Sequence, residues 1–343
     1  MSSLAAEVPA SSALQRSTSR WSLWGAFAVI YLVWGSTFLG IRVAVETLPP
    51  LAMAAMRFLV AGPILLLVSS RVRPRPTLRH WGNAVIVGAL FFLGNHGLVS
   101  TAARFIPSSL ACLIVATEVP IIALLSSALL NQSLTRSGLI GAGLGVTGVV
   151  CLFVGNGNSA GTVSMFACLA VLGASLCWSV GAVLSQRLEF PPDPILRAAM
   201  QMTCGGVLLS GASLLRGEHA TLSSAAFSSR SVTALLYLIV FGSVLAFACY
   251  SYLLKHVRAD TVATHVFVNP LVAVALGAWL AGEQLHPAHL VSGLFILASV
   301  SVITLGQRRP ARRDPLRIMR SAPDLERSIG CDSRCLAAQR SQP

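Results

Sequence analysis

The amino-acid sequence predicts an all-α integral membrane protein with ten transmembrane helices in two inverted five-helix repeats. Three observations carry this. Of 343 residues, 55% are hydrophobic and only 11% are charged, whereas a soluble protein carries roughly 25% charged residues. The apolar residues gather into runs of about 20, the length that crosses a hydrocarbon core. The first half of the chain is echoed in the second, with five runs in each. This composition excludes a water-soluble globule, a disordered chain and a secreted disulfide scaffold.

The runs cover residues 24–43, 50–69, 82–102, 108–130 and 138–155, then 163–184, 196–215, 232–254, 261–281 and 290–305. Turn and charge signals separate them: Pro49-Pro50, the arginine-rich stretch 71–80, the stretch 156–161, and Pro191-Pro192-Asp193-Pro194. Strict alternation of polar and apolar residues is missing, which argues against a β-barrel. The first run extends past the length of a signal-peptide core, so it is expected to be retained. The expected division is a cytoplasmic segment 1–23, a first repeat 24–155, a second repeat 156–306 and a basic tail 307–343. The tail has few apolar residues and is expected to be disordered.

A net charge of +13 would suggest nucleic acid in a soluble chain. Here the charge sorts by loop instead. With the N-terminus inside, 20 of the 25 Lys+Arg residues fall in inner segments, nine of them in the tail. Outer loops hold Arg42, Arg104, Arg216 and Arg230, and Arg57 lies within a span. Basic residues concentrate on the cytoplasmic side, so both termini are expected there. No nucleic-acid partner is expected; membrane lipids are, with Arg308, Arg309, Arg312 and Arg313 placed to meet anionic headgroups.

The repeat is visible in particular residues. Trp34-Gly35-Ser36-Thr37 is echoed by Trp178-Ser179-Val180-Gly181, and each is followed by a charged turn ending in Pro-Pro. Arg57 then corresponds to Arg197, Glu118-Val119-Pro120 to Val268-Asn269-Pro270, and Asn131-Gln132-Ser133-Leu134 to Gly282-Glu283-Gln284-Leu285. Halves with an odd number of spans enter the bilayer in opposite directions. Such a pair supports two related states, each open to one side of a site between the halves.

These segments resemble the EamA family of the drug/metabolite transporter superfamily. The matching pieces are Tyr31 to Thr37, Leu48-Pro49-Pro50, Arg57-Phe58, Ile106 to Ala111, Val268-Asn269-Pro270 and Gly282-Glu283. The resemblance covers both halves, from Trp24 to Gly306. It implies ten helices, a central cavity between the halves, and export of small metabolites or drugs. The first half departs from the pattern at Asn131-Gln132, where the family often has Gly-Glu.

Polar groups within spans usually face the bundle interior or a water-filled cavity. Glu118 lies mid-span, where an ionised carboxylate is costly without a partner. It reads as a proton-coupling or substrate-amine site, or as a structural residue at the break made by Pro120. Arg57 reads as its charge partner, as a ligand for a substrate carboxylate, or as a helix-end or snorkelling arginine. Trp34, Trp178, Thr37, Asn95, His96, His265 and Asn269 are the other candidates for a substrate cavity, with helix packing or interhelical hydrogen bonding as the alternative. Pro120 and Pro270 occupy matching spans and either free carbonyls for the cavity or curve the helices. Glu283, near a span end, reads as a solvated residue. Gly141 and Gly145 form a small-residue face suited to close helix contact or a homodimer interface.

No catalytic set is visible: there is no phosphate-binding Gly-Lys-Ser/Thr loop, no helical His-Glu-x-x-His and no Gly-x-Ser-x-Gly elbow. No metal site or cofactor is expected. The expectation is therefore a secondary, non-ATP transporter of the bacterial inner membrane. It would export a small metabolite, amino acid or drug-like compound by alternating access. An intramembrane enzyme or a non-transporting sensor is the alternative.

Overall fold

A computed structural model describes residues 20–72, 75–130, 135–157, 164–223, 226–257, 259–284 and 287–307. Among these residues the structure is helical throughout, with no strand. The first half contains α1 (Arg20–Ala44), α2 (Pro50–Val68), α3 (Leu78–Ala102), α4 (Ser108–Leu130) and α5 (Arg136–Gly157). The second contains α6 (Met165–Leu184), α7 (Pro194–Leu215), α8 (Ser229–His256), α9 (His265–Ala281) and α10 (Pro287–Gln307). Among the described residues, eight helices are long and apolar enough to cross a membrane; the apolar parts of α5 and α9 are shorter. The expected N-terminal segment up to residue 19, the tail beyond Gln307 and the Asn131-to-Leu134 motif lie outside the described residues.

Helix starts follow local chemistry. Proline occupies the first turn of α2 and of α7, where its missing N–H costs nothing. Side-chain oxygens of Thr77, Ser164, Asp193 and Ser228 accept a backbone N–H at the starts of α3, α6, α7 and α8, satisfying donors that have no partner within the helix.

Two spans are interrupted, each near the proline read as a break or bend from the sequence. The 108–130 run turns at Ala116–Thr117. Pro120 has no N–H to offer the Ala116 carbonyl, which instead accepts from Val119 N at 3.4 Å. The 261–281 run is likewise split: a short turn, Ala259–Val262, precedes α9, and Val266 N and Phe267 N reach back three residues at 3.1 Å. The third and eighth spans each contain a wide π-helical stretch, Ala89–His96 and Leu238–Leu245. These stretches lie at matching places in the two repeats.

The core runs between α2 and α7, the second helices of the two halves. Phe58, Met53, Leu65, Met202 and Leu209 are fully buried there. A Cβ on Gly62 would sit 2.8 Å from Thr203 N, and one on Gly206 2.9 Å from Leu59 N. The two backbones therefore approach closely only because these residues are glycine. The Gly141–Gly145 face, read as either a close helix contact or a dimer surface, is filled within the chain: Ser299 Oγ donates to Gly141 O at 2.5 Å, and Ser292 Oγ to Gly148 O at 2.6 Å. Outward-facing Leu139, Ile140, Val146, Trp279 and Leu294 are exposed, as a surface solvated by lipid tails allows.

Candidate functional site

Between the halves lies a cavity of about 280 Å³. Trp34, Thr37, Asn95, His96, Glu118, Trp178, His265 and Asn269 all line it, as do Arg57 and Pro270. The helices supply them in order: α1 gives the first two, α3 the next two, α4 Glu118, α6 Trp178 and α9 the last two. Pro120 lies apart from this wall and packs toward Gly145 on α5.

Each tryptophan belongs to its own aromatic cluster. The Trp34 ring meets His265 at 4.9 Å, Tyr250 at 5.2 Å and Phe247 at 5.4 Å between centroids. Trp178 stacks on Phe91 at 4.2 Å, and the His96 ring sits 4.8 Å from Phe58. Offset and edge-on pairs at these separations fix ring positions as well as burying area. The cavity wall is thus largely aromatic and apolar, with a few polar side chains set into it.

The charged groups are held separately. Asn95 Nδ2 donates to Glu118 Oε1 at 3.2 Å and to the Ala174 carbonyl at 3.0 Å. The Glu118 main-chain carbonyl accepts from Ser179 Oγ at 3.3 Å. Arg57 is 3% exposed; its Nε donates to Ser243 Oγ at 2.8 Å, and its guanidinium lies 4.9 Å from the Phe58 ring centre. Among the described residues no ion pair joins Arg57 to Glu118, so the charge-partner reading of Arg57 has no direct contact behind it.

The helix break in front of α9 is also tied to the wall. Tyr31 Oη and Thr264 Oγ1 are 2.5 Å apart, and His265 Nδ1 lies 2.9 Å from the Val262 carbonyl. The Asn269 amide, turned with its NH₂ toward these carbonyls, donates to His265 O at 3.0 Å and Tyr31 O at 3.2 Å.

Several wall residues were not among the sequence candidates: Phe38, Phe247, Tyr250 and, behind Arg57, Ser243. Phe247 and Tyr250 are three apart on one helix face, a spacing that marks a shared wall once one of them is placed. Ser243 sits inside a π-helical stretch, which carries no sequence signature. Glu283, expected to be solvated, has a side chain only 2% exposed. Among the described residues, no group of three or more His, Cys, Asp or Glu side chains is arranged to hold a metal ion.

A helical bundle of membrane-spanning length, built from two related halves around a polar and aromatic cavity, defines a polytopic membrane transporter. The chain belongs to the EamA-like transporter family, whose model matches residues 20–154 and 165–305. It is 35% identical over 289 residues to the uncharacterized inner membrane transporter YedA of Escherichia coli K12, covering 83% of this chain and 91% of that protein. It is 27% identical over 296 residues to a probable amino-acid metabolite efflux pump of Salmonella typhimurium, covering 83% and 96% respectively. A solved crystal structure shares the fold at a TM-score of 0.57 and 20% identity, over 85% of this chain and all of that one. Membership of this family places the chain among transporters and not among intramembrane enzymes.

Proposed function

We propose that the protein is a secondary transporter of the inner membrane, with both termini cytoplasmic, that exports a small metabolite, amino acid or drug-like compound. Transport proceeds by alternating access around the central cavity, with the two five-helix halves as the moving parts. One observation carries the reading: polar and tryptophan side chains of otherwise apolar spans converge, from both halves, on one cavity. Polar groups in hydrocarbon are costly, and their convergence around a void is the arrangement a solute site needs.

The wall further supports a solute with an apolar body and two polar ends. Glu118 offers an acceptor to an ammonium group, Arg57 offers donors to a carboxylate, and the Trp34 and Trp178 clusters flank the body. The amino-acid metabolite pump of Salmonella is in keeping with such a solute. The test is counterflow of amino acids and amphipathic drugs in proteoliposomes of the full chain. Saturable flux that falls in both Glu118→Gln and Trp34→Ala is expected. Saturable flux unchanged in both would remove the cavity from the mechanism, and linear flux would point to a channel.

A further inference from the structure

The cross-links between the halves are unequal at the two ends of the bundle. At the end where α1 and α9 finish and α4 begins, one carboxylate gathers five of them. Gly282 closes α9 in the left-handed conformation, φ +61°, which glycine adopts without penalty. The turn brings Glu283 N back to the Gly277 carbonyl at 3.0 Å and aims the Glu283 side chain into the bundle. There it accepts from the backbone N–H groups of Ser108 and Ser109 at 2.8 and 3.1 Å, and from their hydroxyls at 2.7 and 2.5 Å. Arg42, at the end of α1, pairs with the same carboxylate. An anion at the start of α4 also meets the positive end of the helix dipole.

A second carboxylate of the second half repeats the device at the same end. Glu218 accepts from Ala52 N at 2.8 Å and Leu51 N at 3.4 Å at the start of α2. Ser231 Oγ donates to Val43 O at 3.1 Å, closing α8 against α1. At the opposite end, among the described residues, hydrogen bonds run from Asn83 Nδ2 to the Glu189 carbonyl and between Ser22 and Tyr252, and the ion pair between halves is Arg79–Glu189, with both side chains more than half exposed. Pairs of that kind contribute little. The sequence repeats this asymmetry: the residue matching Glu283 is the neutral Gln132, and residues 69–80 between α2 and α3 contain no carboxylate.

We propose that Glu283, bound to Arg42 and to the Ser108–Ser109 helix start, is an inter-repeat latch that makes the two access states unequal and sets the resting state closed at this end. The inference rests on the alternating-access reading above. Under the orientation given there, the latched end faces outward, so export requires the latch to open in each cycle. The opposite end, with Gln132 in the matching place, closes without an equivalent carboxylate.

The test is a spin-label distance measurement on the full chain in lipid nanodiscs, with labels at the exposed Phe105 and Trp279 across the latched end. A second pair, at the exposed Leu78 and Arg187, reports on the other end. Glu283→Gln should raise the ratio of separated to closed populations at the first pair about tenfold, the order expected when hydrogen bonds to a charged group are lost. Ser108→Ala/Ser109→Ala, which keeps the charge and removes two donors, should move the same pair less. If Glu283→Gln fails to fold, the double serine variant decides. A first-pair distribution identical to the parent protein in the folded variants would overturn the latch. The readout needs no substrate, so absent transport with an intact latch is distinguishable from intact transport without one.

Discussion

Asn95 is hydrogen-bonded at once to the Glu118 carboxylate and to the Ala174 carbonyl. It therefore fixes a cavity-lining acid from the first half against a helix of the second. Both bonds come from the uncharged Nδ2 of the amide, so it compensates a carboxyl group without adding a counter-charge. One face of Glu118 is thus held while the other looks into the cavity.

Replacing Asn95 by leucine should leave the Glu118 oxygen and the Ala174 carbonyl without that donor. A buried polar group losing its partner costs about 1–3 kcal/mol, so apparent Tm should fall. If Glu118 contacts substrate, KM should also rise while the protein remains in the membrane. A Tm loss with unchanged KM would confine Asn95 to a structural role.

Ser243 is the acceptor behind Arg57. Ser243→Ala frees the guanidinium to move and should weaken selection for solutes carrying a carboxylate over matched neutral amides. Arg57→Lys should be more damaging than the retained charge suggests, because lysine cannot reproduce the planar fork that stacks on Phe58. Competition of carboxylate and amide forms in a counterflow assay reads both effects.

The α2–α7 contact depends on small residues. Gly206→Val puts branched carbon where a Cβ alone would sit 2.9 Å from Leu59 N, and overpacking of this kind costs about 1–3 kcal/mol. The expected result is a lowered apparent Tm in detergent. Gly211→Ala, which meets nothing within 4 Å, is the matched control and should leave Tm near the parent value.

Two carboxylates outside the spans give a pH dependence of definite sign. Burial pushes Asp193 upward, but hydrogen bonds from Leu196 N–H and Lys255 outweigh it and hold the group below its ordinary 3.8. Burial likewise raises Glu283, while the donors of Ser109 and Ser108 bring it below its ordinary 4.5. The unfolded chain then binds protons more readily than the folded one. The stabilisation is complete above the ordinary values and is lost as pH falls through the lowered ones. Apparent Tm should be level from neutral pH to about pH 5 and fall below it. Asp193→Asn should lower Tm at neutral pH and make the acid fall shallower; a fall as steep as the parent's would assign it to other groups.

Much of the cavity was legible because polar and tryptophan residues are conspicuous in apolar spans: Trp34, Glu118 and His265 stand out by contrast alone. Phe247 and Tyr250 do not, since aromatic side chains in a membrane helix equally serve packing or lipid contact. Glu283 was misread because position along a span says nothing of where a glycine turn redirects the next side chain. The breaks at Ala116–Thr117 and before His265 had only Pro120 and Pro270 as signals. Proline marks a missing donor without saying which carbonyl finds another partner.

The wide turns at Ala89–His96 and Leu238–Leu245 have a consequence for how these helices tolerate change. A π-helical turn holds one more residue than the α-helical turn it replaces. Deleting one residue there relaxes the stretch to an α-helix and leaves the rest of the span facing as before. The same deletion in a plain α-helix turns everything beyond it by about 100°. Asn95 and Ser243 sit inside the two stretches, so the loss of one residue re-aims them locally while the remainder of each helix keeps its neighbours.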